Sequence, residues 1–194
     1  MKVSLKEIAG PWEQGWALDK HTLKSTYLGD EYGHPRFENL RSEVGEATYQ
    51  LKYRQDWSQV EQLAQALADN IYPKLERVGF IVPMPASTYR PRQPVTAIAE
   101  ALGKIVGVPV FTDLLRKSYT GKSLKDLHTK EEKAEALGNS FSINDQITND
   151  GKWNVLLIDD LFHTGASMEA ACKALRTYPK VNRVYVAALT WRHA

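Results

Sequence analysis

A chain of 194 residues with an apolar fraction of 43% is long enough to bury a proper core as one domain with a small appendage at most. Its formal net charge of +2 is too small to indicate nucleic acid by itself, and its single cysteine leaves no disulfide framework to expect. The amino-terminal stretch lacks the apolar core of a signal peptide and no later run approaches a membrane span, so the expected setting is a reducing cytoplasm without membrane contact.

Residues 1–45 are rich in Trp, Tyr, Gly and charge but weakly periodic, and read as an irregular cap of loop and short strands ahead of an α/β domain over 46–194. The alternation in EATYQLKYR (46–54) predicts a strand. In SQVEQLAQALADNIY, Ser58 and Glu61 have capping-box spacing, and Val60, Leu63, Ala64, Leu67, Ala68 and Ile71 form one helical face. GFIVP (79–83) predicts a strand, followed by a loop and a helix presenting Val95, Ile98, Ala99, Leu102 and Val106; VPVF (108–111) continues the alternation. From Arg116 to Leu137 the chain is polar and Lys-rich, as a long loop or weak helix would be, and RVYVAAL (183–189) predicts a closing strand. Alternating strands and helices of this kind build a parallel sheet flanked by helices.

The most informative stretch is VLLIDDLFHTGAS, Val155 to Ser167. Its continuous apolar run reads as a strand buried on both faces, and Met168, Ala171, Cys172 and Leu175 then recur at helical spacing, which also makes Cys172 a packing residue. Between strand and helix lie Asp159 and Asp160, then the small, hydrogen-bonding residues Thr164, Gly165, Ala166 and Ser167, at the sheet edge where open α/β folds place ligands. A Walker loop and a Gly-x-Gly-x-x-Gly turn are both absent, and no Asp or Glu after Glu169 could serve as the phosphoacceptor of a receiver domain. Backbone N–H groups at a helix amino terminus, with the Thr164 and Ser167 hydroxyls, favour a phosphate. The two acids upstream can accept hydrogen bonds from a diol or hold Mg²⁺ through water. Phosphate at one end and a diol at the other describe a ribose 5-phosphate.

The same stretch resembles the 5-phosphoribosyl 1-pyrophosphate (PRPP) signature of type I phosphoribosyltransferases: a hydrophobic run, two acids, two variable residues and a Thr-Gly phosphate loop. The order LKYRQDWSQVEQLAQALA, VPMPASTYRPR and a basic loop ending near NSF is similar to the ComF/amidophosphoribosyltransferase-like branch, over about residues 46 to 189. That branch carries an Arg-Gly-Phe-Asn-Gln run where this chain reads RPRQPVTA, and no cysteine-rich zinc module stands at this amino terminus. The resemblance implies a type I phosphoribosyltransferase-like parallel sheet with a small amino-terminal hood, and Mg²⁺-dependent transfer of a 5-phosphoribosyl group from PRPP to a nitrogen nucleophile. It implies that Asp159 and Asp160 hold the ribose hydroxyls and the metal, and that His163, Thr164, Gly165, Ala166 and Ser167 hold the 5-phosphate. Ser87, Thr88, Arg90, Arg92 and Lys122 would bind pyrophosphate, for which guanidinium is suited by its bidentate geometry. The segment RKSYTGKSLKDLHTKEEK corresponds to a flexible lid whose closure would exclude water.

His163 has two readings, an imidazole that handles a proton near neutrality or a residue that only tops the helix and touches phosphate. Phe162 is expected to pack under the loop, and His21, His34, His128 and His193 lack metal-ligand spacing. A second functional class also fits: a protein that binds PRPP or a nucleoside 5-monophosphate without turnover, or that handles single-stranded DNA through Lys117, Tyr119, Lys122, Lys125, Lys130 and Lys133. Acids within that segment blunt its field, so nucleic acid is the less favoured partner. The acceptor, the pathway and the oligomeric state, a homodimer included, are not written in the sequence.

Overall fold

The computed structural model describes residues 1–118 and 140–193. In chain order the elements are β1 (Lys6–Glu7), β2 (Gln14–Lys20), β3 (Thr22–Glu31), β4 (His34–Arg41), α1 (Glu43–Arg54), α2 (Gln59–Asn70) and, after a single 3-10 turn, β5 (Phe80–Pro83). They continue with α3 (Pro94–Val106), β6 (Leu115–Lys117), β7 (Phe141–Ile143), β8 (Trp153–Phe162), α4 (Ala166–Arg176) and β9 (Val181–Trp191). The central sheet has the order β1-β2-β9-β8-β5, in which β2, β9, β8 and β5 run parallel and only β1 is antiparallel. The expected α/β class with a mostly parallel sheet flanked by helices is therefore present.

The apolar run of β8 shows why the sheet needs cover on both sides. Val155 and Leu157 join Phe80, Val82, Val184 and Val186 in a core closed by Met168, Ala171, Cys172 and Leu175 of α4. Leu156 and Ile158 point the other way, into a core with Ile81, Tyr185 and Ala187 that α1, α2 and α3 close. Each such side chain, once buried, contributes about 1.5–3 kcal/mol, so the strand is anchored from two directions. Cys172 is fully buried and burial pushes its thiol up to about 12, in keeping with a packing role.

Several sequence expectations are corrected. EATYQLKYR is not a strand but most of α1: Val44, Ala47, Thr48 and Leu51 are buried at helical spacing, and this face outweighs the alternation of Tyr49, Leu51 and Tyr53. Ser42 caps the helix, accepting from Gly45 N at 2.9 Å, with Glu43 and Glu46 in the first turn and Lys52 and Arg54 in the last, each complementing the helix dipole. Ser58 makes no cap on α2; the Asp56 carboxylate instead accepts from Ser58 N and Gln59 Nε2, so the chain turns two residues before the position a capping box requires. VPVF contributes only an isolated parallel bridge, Val110 to Ile81, at the open sheet edge.

Residues 1–45 are also more regular than expected. β2 belongs to the central sheet, paired with β9 from Gln14–Tyr185 to Lys20–Trp191. β3 and β4 form a separate ribbon closed by Tyr32 and Gly33, whose φ values of 53° and 77° match the two-residue turn that right-twisted hairpins prefer. The ribbon rises from the carboxyl end of β2 and exposes Leu23, Tyr27, Leu28, Tyr32, Phe37 and Leu40. β6 and β7 form a second short ribbon, and most of the expected lid between them lies outside the described residues.

α1 is held against β2 through one side chain. Besides capping the helix, Ser42 Oγ donates to Lys20 O at 2.6 Å, while a Cβ on Gly45 would stand 2.1 Å from His21 O, so backbone approaches backbone there. Ser42→Ala removes both bonds of a buried hydroxyl, and we expect a loss of about 1–2 kcal/mol in urea unfolding at unchanged m value. An unaffected midpoint would show that the junction contributes nothing.

Candidate active site

At the carboxyl ends of the parallel strands, among the described residues, lies a cleft of about 290 Å³ whose walls include Lys52, Ser87, Arg90, Lys117, Asp159 and Ser167. Asp160 and Thr88 also line it. Four elements thus meet: the end of α1, the loop after β5, the end of β6, and the turn from β8 into α4.

The acids do not sit where the strand stops. β8 continues to Phe162, with Asp159 opposite Ala188 and Leu161 opposite Thr190, so the two adjacent carboxylates fall on a strand that still alternates. Both are partly buried, and each is answered by a lysine from a different layer. Lys52 of α1 pairs with Asp160, Nζ to Oδ2 at 2.5 Å. Lys117 of β6 lies within electrostatic reach of Asp159 and donates to Ser87 Oγ at 2.9 Å. Burial, and then the charge of Asp160, push the Asp159 carboxyl up to about 7, partly offset by the Asp160 N–H at 2.8 Å and by both lysines. Burial lowers the pKa of Lys117, and Asp159 opposes that shift.

The turn after β8 is built for close approach. Gly165 has φ 82° and precedes α4, and a Cβ there would lie 3.1 Å from the Phe162 ring, which packs under the loop and edge-on to Trp12. Among the described residues no side chain caps α4, apart from a long 3.4 Å contact from Ala166 N to Thr164 Oγ1, so its first-turn N–H groups can meet an anion. Thr164 and Ser167 are exposed, and Ser167 faces the cleft.

The remaining expected residues divide. Ser87, Thr88 and Arg90 line the cleft, Arg90 with Nη1 donating to Lys52 O at 2.8 Å at the last turn of α1. Arg92 does not line it: its guanidinium stacks on Trp57, 4.1 Å from the ring centroid, because the turn at Pro91 sends successive arginines to different sides. Lys122 lies outside the described residues, as do Tyr119, Lys125, Lys130 and Lys133 of the nucleic-acid reading, and Lys117 is turned to Ser87. His163 stands at the far end of the loop, its Nδ1 3.4 Å from Arg192 Nη2. Beyond it, His21 Nδ1 lies 3.2 Å from Thr190 Oγ1, which donates to Asp160 O at 2.9 Å. Burial first, then Arg41 and Lys52, lower the His21 pKa. Sequence reasoning missed Lys52 and gave Lys117 only a nucleic-acid role; the helical spacing of Val44, Ala47, Thr48 and Leu51 was the available signal for the first.

A raised Asp159 pKa makes a signed prediction for the free protein. Between the ordinary carboxylate value and about 7 the unfolded chain has lost a proton that the folded chain keeps, so stability falls as pH rises through this window and stays low above it. Asp159→Asn abolishes that slope. Its melting temperature should exceed the wild type's at pH 8 and match it near pH 4; a variant less stable at pH 8 would show that Asp159 is a structural partner instead.

No protein-family model matches the sequence, and no curated protein matches it. Among solved structures, the glutamine PRPP amidotransferase of B. subtilis superposes with a TM-score of 0.52 at 13% identity, covering 78% of this chain and 33% of that one. The UMP synthase of Leishmania donovani gives 0.44 at 14% identity, covering 89% and 29%, and the adenine phosphoribosyltransferase of Leishmania tarentolae 0.49 at 11%, covering 97% and 95%. This chain thus spans a third or less of the length of the first two. The likeness to the amidotransferase structure is one of fold, a mostly parallel sheet flanked by helices.

Proposed function

We propose that the cleft binds PRPP and transfers its 5-phosphoribosyl group to a nitrogen nucleophile. The observation that carries this reading is the convergence on one cleft of an acid pair, an uncapped helix amino terminus behind a positive-φ glycine, and a Ser-Thr-Arg loop backed by Lys117. The Thr164–Ser167 turn takes the 5-phosphate, Ser87, Thr88, Arg90 and Lys117 take the pyrophosphate, and Asp159 and Asp160 accept from the ribose hydroxyls between them. The order of segments supports the ComF/amidophosphoribosyltransferase-like branch, and the β3–β4 ribbon, rising at the same edge, serves as the hood.

Magnesium fits this donor set only in company. Among the described residues no cluster of three or more Asp, Glu, His or Cys could hold an ion, and Asp160 already has Lys52. Two carboxylates with substrate oxygens are what Mg²⁺ commonly uses, so it would arrive with the diphosphate, supplying charge neutralisation to the leaving group. In the reaction the bond from C1 of the ribose to the pyrophosphate oxygen breaks, pyrophosphate keeps the electron pair, and a nitrogen–C1 bond forms. The nitrogen's proton passes to His163 or to water. The protein's contribution is positioning and electrostatics rather than a covalent intermediate. No described helix is long and apolar enough to cross a membrane.

PRPP with Mg²⁺ at about a hundredfold excess over Kd should stabilise the native state by about 2.7 kcal/mol, a rise of roughly 5 °C or more in Tm. Pyrophosphate should then be released with at least one nitrogen acceptor. Asp159→Asn and Asp160→Asn should each weaken PRPP binding by roughly tenfold or more, since charged hydrogen bonds exceed about 1.4 kcal/mol. A melting curve unmoved by millimolar PRPP and Mg²⁺ would refute the phosphate site.

A further inference from the structure

Resting on that reading, the geometry points to an acceptor that carries a carboxylate beside its reacting nitrogen, selected by Arg192. The acids lie on β8, and the loop with Ser87, Thr88 and Arg90 follows β5 on one side of it. On the other side are the ends of β9 and β2. Displacement at C1 brings the nucleophile in on the face opposite the departing pyrophosphate, so with the diphosphate on the β5 side the acceptor enters over β9 and β2.

Hydrogen bonds draw the chain ends on that side together. Arg192 N donates to Phe162 O at 3.0 Å, and His21 N donates to Trp191 O at 2.8 Å, which sets His163, Arg192 and His21 along one edge. Arg41 arrives from the base of the ribbon, bonded to Glu46 at 3.2 Å and stacked on Tyr49. The nearby acids are already matched, Glu46 by Arg41 and Asp160 by Lys52. Arg192 is not: among the described residues its guanidinium meets only the His163 imidazole, at 3.4 Å. An exposed guanidinium beside an imidazole, which no carboxylate answers among the described residues, fits a planar anion better than a neutral base.

The test compares two ligands with the same ribose 5-phosphate, orotidine 5-monophosphate and uridine 5-monophosphate, which differ by one carboxylate. Titration calorimetry should show the carboxylated nucleotide binding at least tenfold more tightly. Arg192→Gln should narrow this ratio to below about twofold, and Arg192→Lys, which keeps the charge but not the fork, should restore part of it. Equal affinities in the wild type, or a ratio indifferent to Arg192→Gln, overturns the inference while leaving the nucleotide site intact. Failure of both nucleotides to bind at millimolar concentration removes the site and the inference together.

Discussion

Two carboxylates placed side by side on a partly buried strand repel each other and resist desolvation, and the architecture around them is arranged to make that position tenable. Because β8 runs on through Asp159 and Asp160, alternation alone would send one carboxylate toward each covering layer. Each layer supplies a cation: Lys52 from α1 on one side and Lys117 from β6 on the other. The compensation is incomplete, since Asp159 stays well above the ordinary carboxylate range, and an incompletely compensated acid pair is poised to gain from hydroxyl donors or a divalent ion.

This constraint reaches far into the fold. Lys52 is in place only because α1 is a helix, begun at Ser42, tied to Lys20 and pressed so close to His21 that only glycine fits at position 45. Arg90 then bonds the Lys52 carbonyl, so the loop after β5 is positioned by the same helix end that neutralises Asp160. Lys117 joins the acids to Ser87 on the other wall. Elements far apart in sequence are thus coupled through a few polar contacts in one cleft, with the apolar faces of β8 holding the frame.

The parts legible in the sequence were those where one signal dominated. The apolar run before Asp159, the small residues after His163 and the helical face from Val60 to Ile71 each admit a single reading, and the sheet class, the turn from β8 into α4 and Phe162 beneath it follow. Where two periods coexisted the wrong one was preferred: Tyr49, Leu51 and Tyr53 alternate as in a strand, while Val44, Ala47, Thr48 and Leu51 are spaced as in a helix, and tertiary burial favours the second. That error also hid Lys52. Arginines beside prolines carry no local sign of direction, so Arg90 and Arg92 could not be told apart before Pro91 turned one to the cleft and the other onto Trp57. The pairing of β2 with β9 spans nearly the whole chain, and no local pattern encodes so distant a partner.

The central claim is that the acid pair, the Gly165 turn and the Ser87–Lys117 wall hold one extended phosphate ester between them. A crystal structure with PRPP and Mg²⁺ tests this most directly. The 5-phosphate is expected within hydrogen-bond distance of the Thr164–Ser167 backbone N–H groups, the ribose hydroxyls on Asp159 and Asp160, and the diphosphate against Ser87 and Lys117. Ligand bound elsewhere, with Asp160 still paired to Lys52 and the turn before α4 holding no phosphate, would contradict it.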